Sequence, residues 1–177
     1  MPNADHAAGL PARRRRRIIT AGIALAAAVA GLTVLTGQWR DGDRQADVAA
    51  RGQQVMPFDL ARTTHRFSKT TTGGVQRVVA HNPADTIQIP LIRGHLRTEA
   101  DKFTKGDFGD PTAIHGDQMP GVEKLAQAAD RITVTYAELS DGATLTYDTT
   151  DRELVAALHA WFDAQVSDHG RHAEASG

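Results

Sequence analysis

The sequence predicts an α+β domain behind an N-terminal transmembrane helix, the domain being a four-stranded antiparallel sheet of two hairpins packed by helices. Three observations carry this. An apolar run without a charge follows a cluster of arginines near the N-terminus. Two pairs of alternating, β-branched segments are each joined by a short glycine-containing connection. Two longer segments repeat apolar residues every three or four positions.

Residues 13–17 are all arginine, and residues 18–37 (IITAGIALAAAVAGLTVLTG) carry no charge. As a helix rising 1.5 Å per residue this run spans roughly 30 Å, the thickness of a bilayer's hydrocarbon core. A cationic flank stays on the cytoplasmic side, which places residues 1–17 inside and the chain after residue 37 outside, as a single-pass protein of the cell membrane. Two other readings export the same domain: Ala28-Val29-Ala30 has the form of a signal-peptide cleavage site, and Arg15-Arg16-Arg17-Ile18-Ile19 approximates a twin-arginine signal. Residues 38–54 are polar and without periodicity and read as a tether, 55–169 as the extracytoplasmic domain, and 170–177 as a disordered tail. The chain has no cysteine, which excludes a disulfide framework and thiolate metal sites. From Gln38 onward 15 basic residues face 20 acidic ones, so this part is no nucleic-acid binder by charge.

Within the domain, residues 63–69 and 75–81 flank Thr70-Thr71-Thr72-Gly73-Gly74 and predict the first hairpin. Asn82-Pro83 breaks the second strand, and Asp85 is placed to cap a helix whose stripe is Ile92, Leu96, Ala100 and Phe103, ending at Gly106. Pro90 fits only within the first turn of that helix. Residues 107–121, crowded with glycine, aspartate and proline, read as a loop. Val122, Leu125, Ala126 and Ala129 then suggest a short helix. Ile132, Val134 and Tyr136 alternate with polar residues before Asp141-Gly142, and Leu145 and Tyr147 resume the alternation. With Asp141-Gly142 as the two-residue turn, Tyr136 falls opposite Tyr147 and Glu138 opposite Leu145. Thr150-Asp151-Arg152-Glu153 has the form of a capping box, opening a helix with Leu154, Leu158, Trp161, Phe162 and Val166 on one side and Gly170 past its end.

Seven of the eight histidines follow the apolar run, at 65, 81, 95, 115, 159, 169 and 172. With no thiolate available, imidazole, thioether and carboxylate form the ligand set, which outside the cytoplasm favours copper or zinc. The candidate metal ligands are His115 and Met119, four apart in the glycine-rich run Ala113–Gly121, then His95, which shares a helix face with Glu99, and His65. His159 and Asp163 also stand four apart but at the solvent edge of the last helix, where surface hydrogen bonding is expected. Ser167-Asp168-His169 supplies the side chains of a hydrolytic triad as sequence neighbours, a placement from which they do not converge on one substrate. No phosphate-binding loop, dinucleotide fingerprint or zinc-protease helix motif occurs, so no residue is assigned a catalytic or organic-cofactor role.

From Phe58 onward, segments such as FDLARTTHRF, IRGHLRTEADKF, GDFGDPTAIHGDQMPG and LVAALHAWFDAQVSDHG resemble a group of short bacterial membrane-anchored proteins, and the resemblance covers most of the domain. Members of that group sometimes carry the label aspartate carbamoyltransferase. The nearest counterpart here to that enzyme family's Ser-Thr-Arg-Thr-Arg loop is Ala61-Arg62-Thr63-Thr64-His65-Arg66, in a different order, in a chain about half the length of the two-domain enzyme. The expected function is a membrane-tethered extracytoplasmic domain that binds a ligand, with copper or another transition metal as the candidate. A noncatalytic domain contacting an envelope protein is the alternative, and an enzyme of unassigned type the third.

Overall fold

β-Branched runs and the short gaps between them lay down the sheet, and the apolar stripes of two helices cover one of its faces. The computed structural model describes residues 42–176, and the chain from Asp43 on forms one unit. Residues 42–55 form a helix, α1. Strands β1 (Thr63–Thr70) and β2 (Gly73–Ala80) make the first hairpin across Thr71-Thr72. Helix α2 (Gln88–Phe103) opens where Asp85 Oδ1 accepts from the backbone N–H groups of Ile87 and Gln88, at 3.0 and 2.9 Å, with Pro90 in the first turn. Then come α3 (Gly109–His115), α4 (Val122–Gln127), β3 (Thr133–Leu139), β4 (Gly142–Asp148), α5 (Arg152–His169) and β5 (Ala173–Ser176).

The strand order is β3-β4-β2-β1-β5. Inward-facing residues line up in rows across the strands: His65 opposite Val78 and Ala173, Gln76 opposite Phe67 and Leu145, Tyr147 opposite Gly74 and Val134. Helix α2 lies over β4, β3 and β2, and α5 over β2, β1 and β5, on this same face. Between sheet and helices Phe103, Phe108, Tyr147, Trp161 and Phe162 form a contiguous aromatic cluster, with ring centroids 4.7–6.2 Å apart and many edge-to-face contacts.

Several expectations are corrected. The four-stranded antiparallel sheet is a five-stranded mixed one, because residues 173–176, read as tail, add to β1 in parallel. Among the described residues no helix is long and apolar enough to cross a membrane, and the apolar run 18–37 lies outside them. Residues 42–54, read as part of a tether, are helical and docked: Val48 is fully buried, and Arg44 and Gln45 bond to residues of α5. The loop 107–121 contains α3. The second hairpin turns at Ser140-Asp141, so Tyr136 faces Leu145 and Val134 faces Tyr147.

That last shift is by two residues and therefore keeps every side chain on its expected face. Its cause is the neighbouring strand. A Cβ on Gly142 would stand 2.0 Å from the Val78 carbonyl oxygen, so this glycine is needed inside the ladder and not in the turn. Asp141 holds the turn instead, its carbonyl accepting from Ala80 N–H at 2.9 Å and its carboxylate from Arg77 at 3.0 Å. The cap of α5 also moves by one residue: Asp151 Oδ1, not the Thr150 hydroxyl, accepts from the Glu153 N–H, at 2.8 Å.

Candidate functional site

At one end of the layer between sheet and helices the packing changes from aromatic to imidazole. His65 comes from the inward face of β1, His95 and Glu99 from adjacent turns of α2, and His169 from the last turn of α5. Short α3 supplies Asp110 in its first turn and His115 at its last residue, where Gly116 at φ 93° ends the helix. These side chains, with Met56, Gln76, Trp161 and Gln165, line a cavity of about 40 Å³. One water needs about 10–15 Å³, so the space admits a small ion or a few heavy atoms.

Three of the predicted ligands, His65, His95 and His115, border this one cavity. Met119 does not: it is buried in the apolar core, the packing role of an ordinary thioether. His159 Nε2 lies 3.0 and 2.9 Å from the carbonyl oxygens of Thr70 and Gly73, fastening the first hairpin's turn to α5, while Asp163 pairs with Lys69. Arg62, the arginine of the Ala61–Arg66 stretch, is bonded to the capping residue Asp85.

The tightest grouping is His95, Glu99 and Asp110. One ligand atom from each lies within 4.8 Å of the others. Lys102 Nζ sits 2.7 Å from Asp110 Oδ2 and 3.2 Å from Glu99 Oε1, an ion pair with each carboxyl group. Burial, then a hydrogen bond shared with Asp110, pushes the Glu99 carboxyl up to about 7. At Asp110 burial works against ionisation, but bonds from Lys102 and Glu99 outweigh it and hold the carboxyl below its ordinary value. Burial, reinforced by Lys102 and opposed by Asp110, lowers the His95 imidazole to about 4.

The second grouping is imidazole against imidazole. His65 stacks on His169 at 5.1 Å between ring centroids, and His169 meets His115 edge-on at 4.8 Å. Burial first, then its histidine neighbours, lowers His65 to about 3; the same causes push His169 well down. Both rings are therefore neutral. His65 Nδ1 is buried without a protein partner, as is Trp161 Nε1, so two cavity-lining residues carry unmet hydrogen-bonding capacity.

His115 is held more firmly. Its Nδ1 lies 2.9 Å from Asp168 Oδ2, and Asp168 accepts two further bonds from Arg44 of α1, at 2.5 and 2.6 Å. Burial raises the Asp168 carboxyl, yet the Arg44 and His115 bonds prevail and keep it below the usual range, so it is an anion and can only accept. Nδ1 of His115 therefore carries the hydrogen. Burial, opposed by Asp168, keeps the ring below its ordinary pKa and neutral, which leaves Nε2 as a bare lone pair.

Asp110 escapes sequence reasoning, and Asp168 and His169 enter it only as sequence-neighbour members of a hydrolytic triad, with no role assigned. The i, i+4 spacing of His95 and Glu99 signals that pair, but Asp110 arrives from α3, a helix hidden in a glycine-rich stretch. Asp168 and His169, neighbours on one helix, meet different partners: Asp168 bonds His115 Nδ1, and His169 stacks on His65. No protein-family model matches the chain, and no curated protein or solved structure matches it either.

Proposed function

We propose that the domain binds a divalent transition-metal ion, zinc or copper, in the cavity through His95, Glu99 and Asp110. The observation that carries this reading is the convergence of one imidazole and two carboxyl groups to within 4.8 Å. A zinc ion with ligands at about 2.0–2.2 Å needs only small rotamer adjustments to draw three such atoms together. The nitrogen donor favours a transition metal over calcium or magnesium. Lys102 pairs with both carboxyl groups; with nearly a third of its side chain exposed, it can swing out as an ion enters. The arginine cluster and apolar run at residues 13–37 support an extracytoplasmic setting for this site.

Zinc and copper titrations of the full chain, followed by calorimetry, test the reading. One equivalent of tightly held ion is expected. His95→Gln and Asp110→Asn should each weaken binding by at least about tenfold, as loss of a ligand does, and Lys102→Gln should strengthen it. A parent chain that binds no ion, or binds it equally well without His95, overturns the assignment. The alternative, a noncatalytic contact with an envelope protein, draws support from the helix-free face of the sheet and from β3, an edge strand with Thr133, Thr135 and Ala137 exposed. A metal-free chain whose partner binding fails when those three positions are changed would favour it.

A further inference from the structure

We infer that the cavity is a reaction centre, in which His115 takes a proton from a water molecule as that water adds to a small uncharged carbonyl compound. The inference rests on the metal reading, because the ion supplies the polarisation of carbonyl or water that such an addition needs. What the chain itself supplies is the proton acceptor. His115 lines the same cavity as His95, Glu99 and Asp110, and it is the one imidazole there whose Nδ1 is bonded to an ionised carboxylate. That bond fixes both the tautomer and the ring plane, and presents Nε2 as a base.

Asp168 and Arg44 are positioning residues. Neither lines the cavity, yet Asp168 holds His115 Nδ1, and Arg44 holds both oxygens of Asp168. Helix α1 steadies the same point a second time: Arg51 Nε donates to the Ile114 carbonyl at 2.6 Å, at the C-terminal end of α3 where a cation is favoured. These contacts dock α1, and they also give the imidazole more than the single acceptor that a buried ring at a helix end needs.

The cavity also limits what reacts. Its volume of about 40 Å³ admits a group of a few heavy atoms, about the size of an acetyl. Beside the metal-binding carboxyl groups, Leu96, Phe103, Ile114 and Trp161 contribute apolar wall that suits the hydrocarbon part of such a guest. For an ester the step balances as follows: the water oxygen bonds to the carbonyl carbon while its proton moves to His115 Nε2. The bond from that carbon to the alcohol oxygen then breaks, and the same proton passes from Nε2 to the departing alcohol.

The test uses the zinc-loaded full chain with 4-nitrophenyl acetate and, separately, carbon dioxide as probes. We expect hydrolysis or hydration faster than with the same concentration of free zinc. His115→Gln should lose about 10²-fold of that rate while keeping its zinc, the scale of a missing proton acceptor. Asp168→Asn should lose at least about tenfold and change the shape of the pH–rate profile, with Asp168→Glu recovering part of the rate. Zinc bound with no rate above free zinc, no zinc bound, or an undiminished rate in His115→Gln overturns the inference and leaves the metal reading standing; a parent that binds neither zinc nor copper overturns both. Should the variants fold poorly, nitrogen-15 spectra of the unaltered chain decide: the neutral Nδ1–H form of His115 supports the inference, and the Nε2–H form overturns it.

Discussion

Two halves of one interior layer face the same sheet and the same pair of helices, and they are built on opposite terms. In one half Phe103, Phe108, Tyr147 and Phe162 pack around Trp161 as an aromatic cluster. In the other, His65, His95, His115 and His169 surround open space, all with pKa values pushed down and one buried nitrogen unpaired. Trp161 stands on the boundary, touching the cluster and lining the cavity. Burying apolar rings drives folding, whereas burying a polar ring without a full set of partners opposes it. The aromatic half is therefore what holds the fold together, and the imidazole half is held in place by it.

The largest expected effect follows directly. Trp161→Ala removes the ring shared by both halves, and loss of a fully buried large aromatic destabilises by about 3–5 kcal/mol. Denaturant unfolding should show that drop; a change below about 1 kcal/mol would break the comparison at its root.

A smaller and graded effect is expected from acid. His65 titrates near 6.5 when unfolded and near 3 when folded, so between those values the unfolded chain binds a proton that the folded chain refuses. Its contribution to stability is present above 6.5 and is lost as the pH falls toward 3, with His95 acting in the same direction down to about 4. Glu99 acts oppositely: at about 7 in the folded chain, against 4.5 unfolded, it stabilises below 4.5 and loses that contribution as the pH rises through 7. The histidines outnumber it, so unfolding free energy measured from pH 7 down to 4 should fall, by on the order of 1 kcal/mol per pH unit. Glu99→Gln should steepen the fall. A flat profile would mean that these rings are not neutral in the fold.

The same contrast explains what could be read in the sequence. Elements that bury a periodic apolar stripe were legible: Ile92, Leu96, Ala100 and Phe103 on α2, and Leu154, Leu158, Trp161 and Phe162 on α5, are buried as their spacing requires. Elements held by polar, long-range contacts were not. Helix α1 presents few apolar residues and is fixed by Arg44 on Asp168, a partner 124 positions away. Strand β5 is four residues long and owes its place to β1. The hairpin register slipped because Asp-Gly is a strong turn signal, while the real demand on Gly142 comes from the Val78 carbonyl of another strand. At the site, residue type and helical spacing pointed to His95 and Glu99. Met119 misled, since in sequence a thioether near a histidine looks the same whether it faces an ion or the core.

The smallest expected effect is the sharpest test of the contrast. In His65→Phe a phenyl ring replaces the imidazole between Phe58, at 5.8 Å, and the stacked ring of His169, at 5.1 Å. The substitution removes the unpaired Nδ1, and the adjoining cavity takes up the extra volume, so the usual penalty for overpacking is small. Stability is expected within about 1 kcal/mol of the parent, or above it, in thermal or denaturant unfolding. Such a result would mean that the imidazole is retained for what it offers the cavity. A loss approaching that of Trp161→Ala would instead make His65 a structural member whose nitrogen the fold depends on, and the line between the two halves would have to be redrawn.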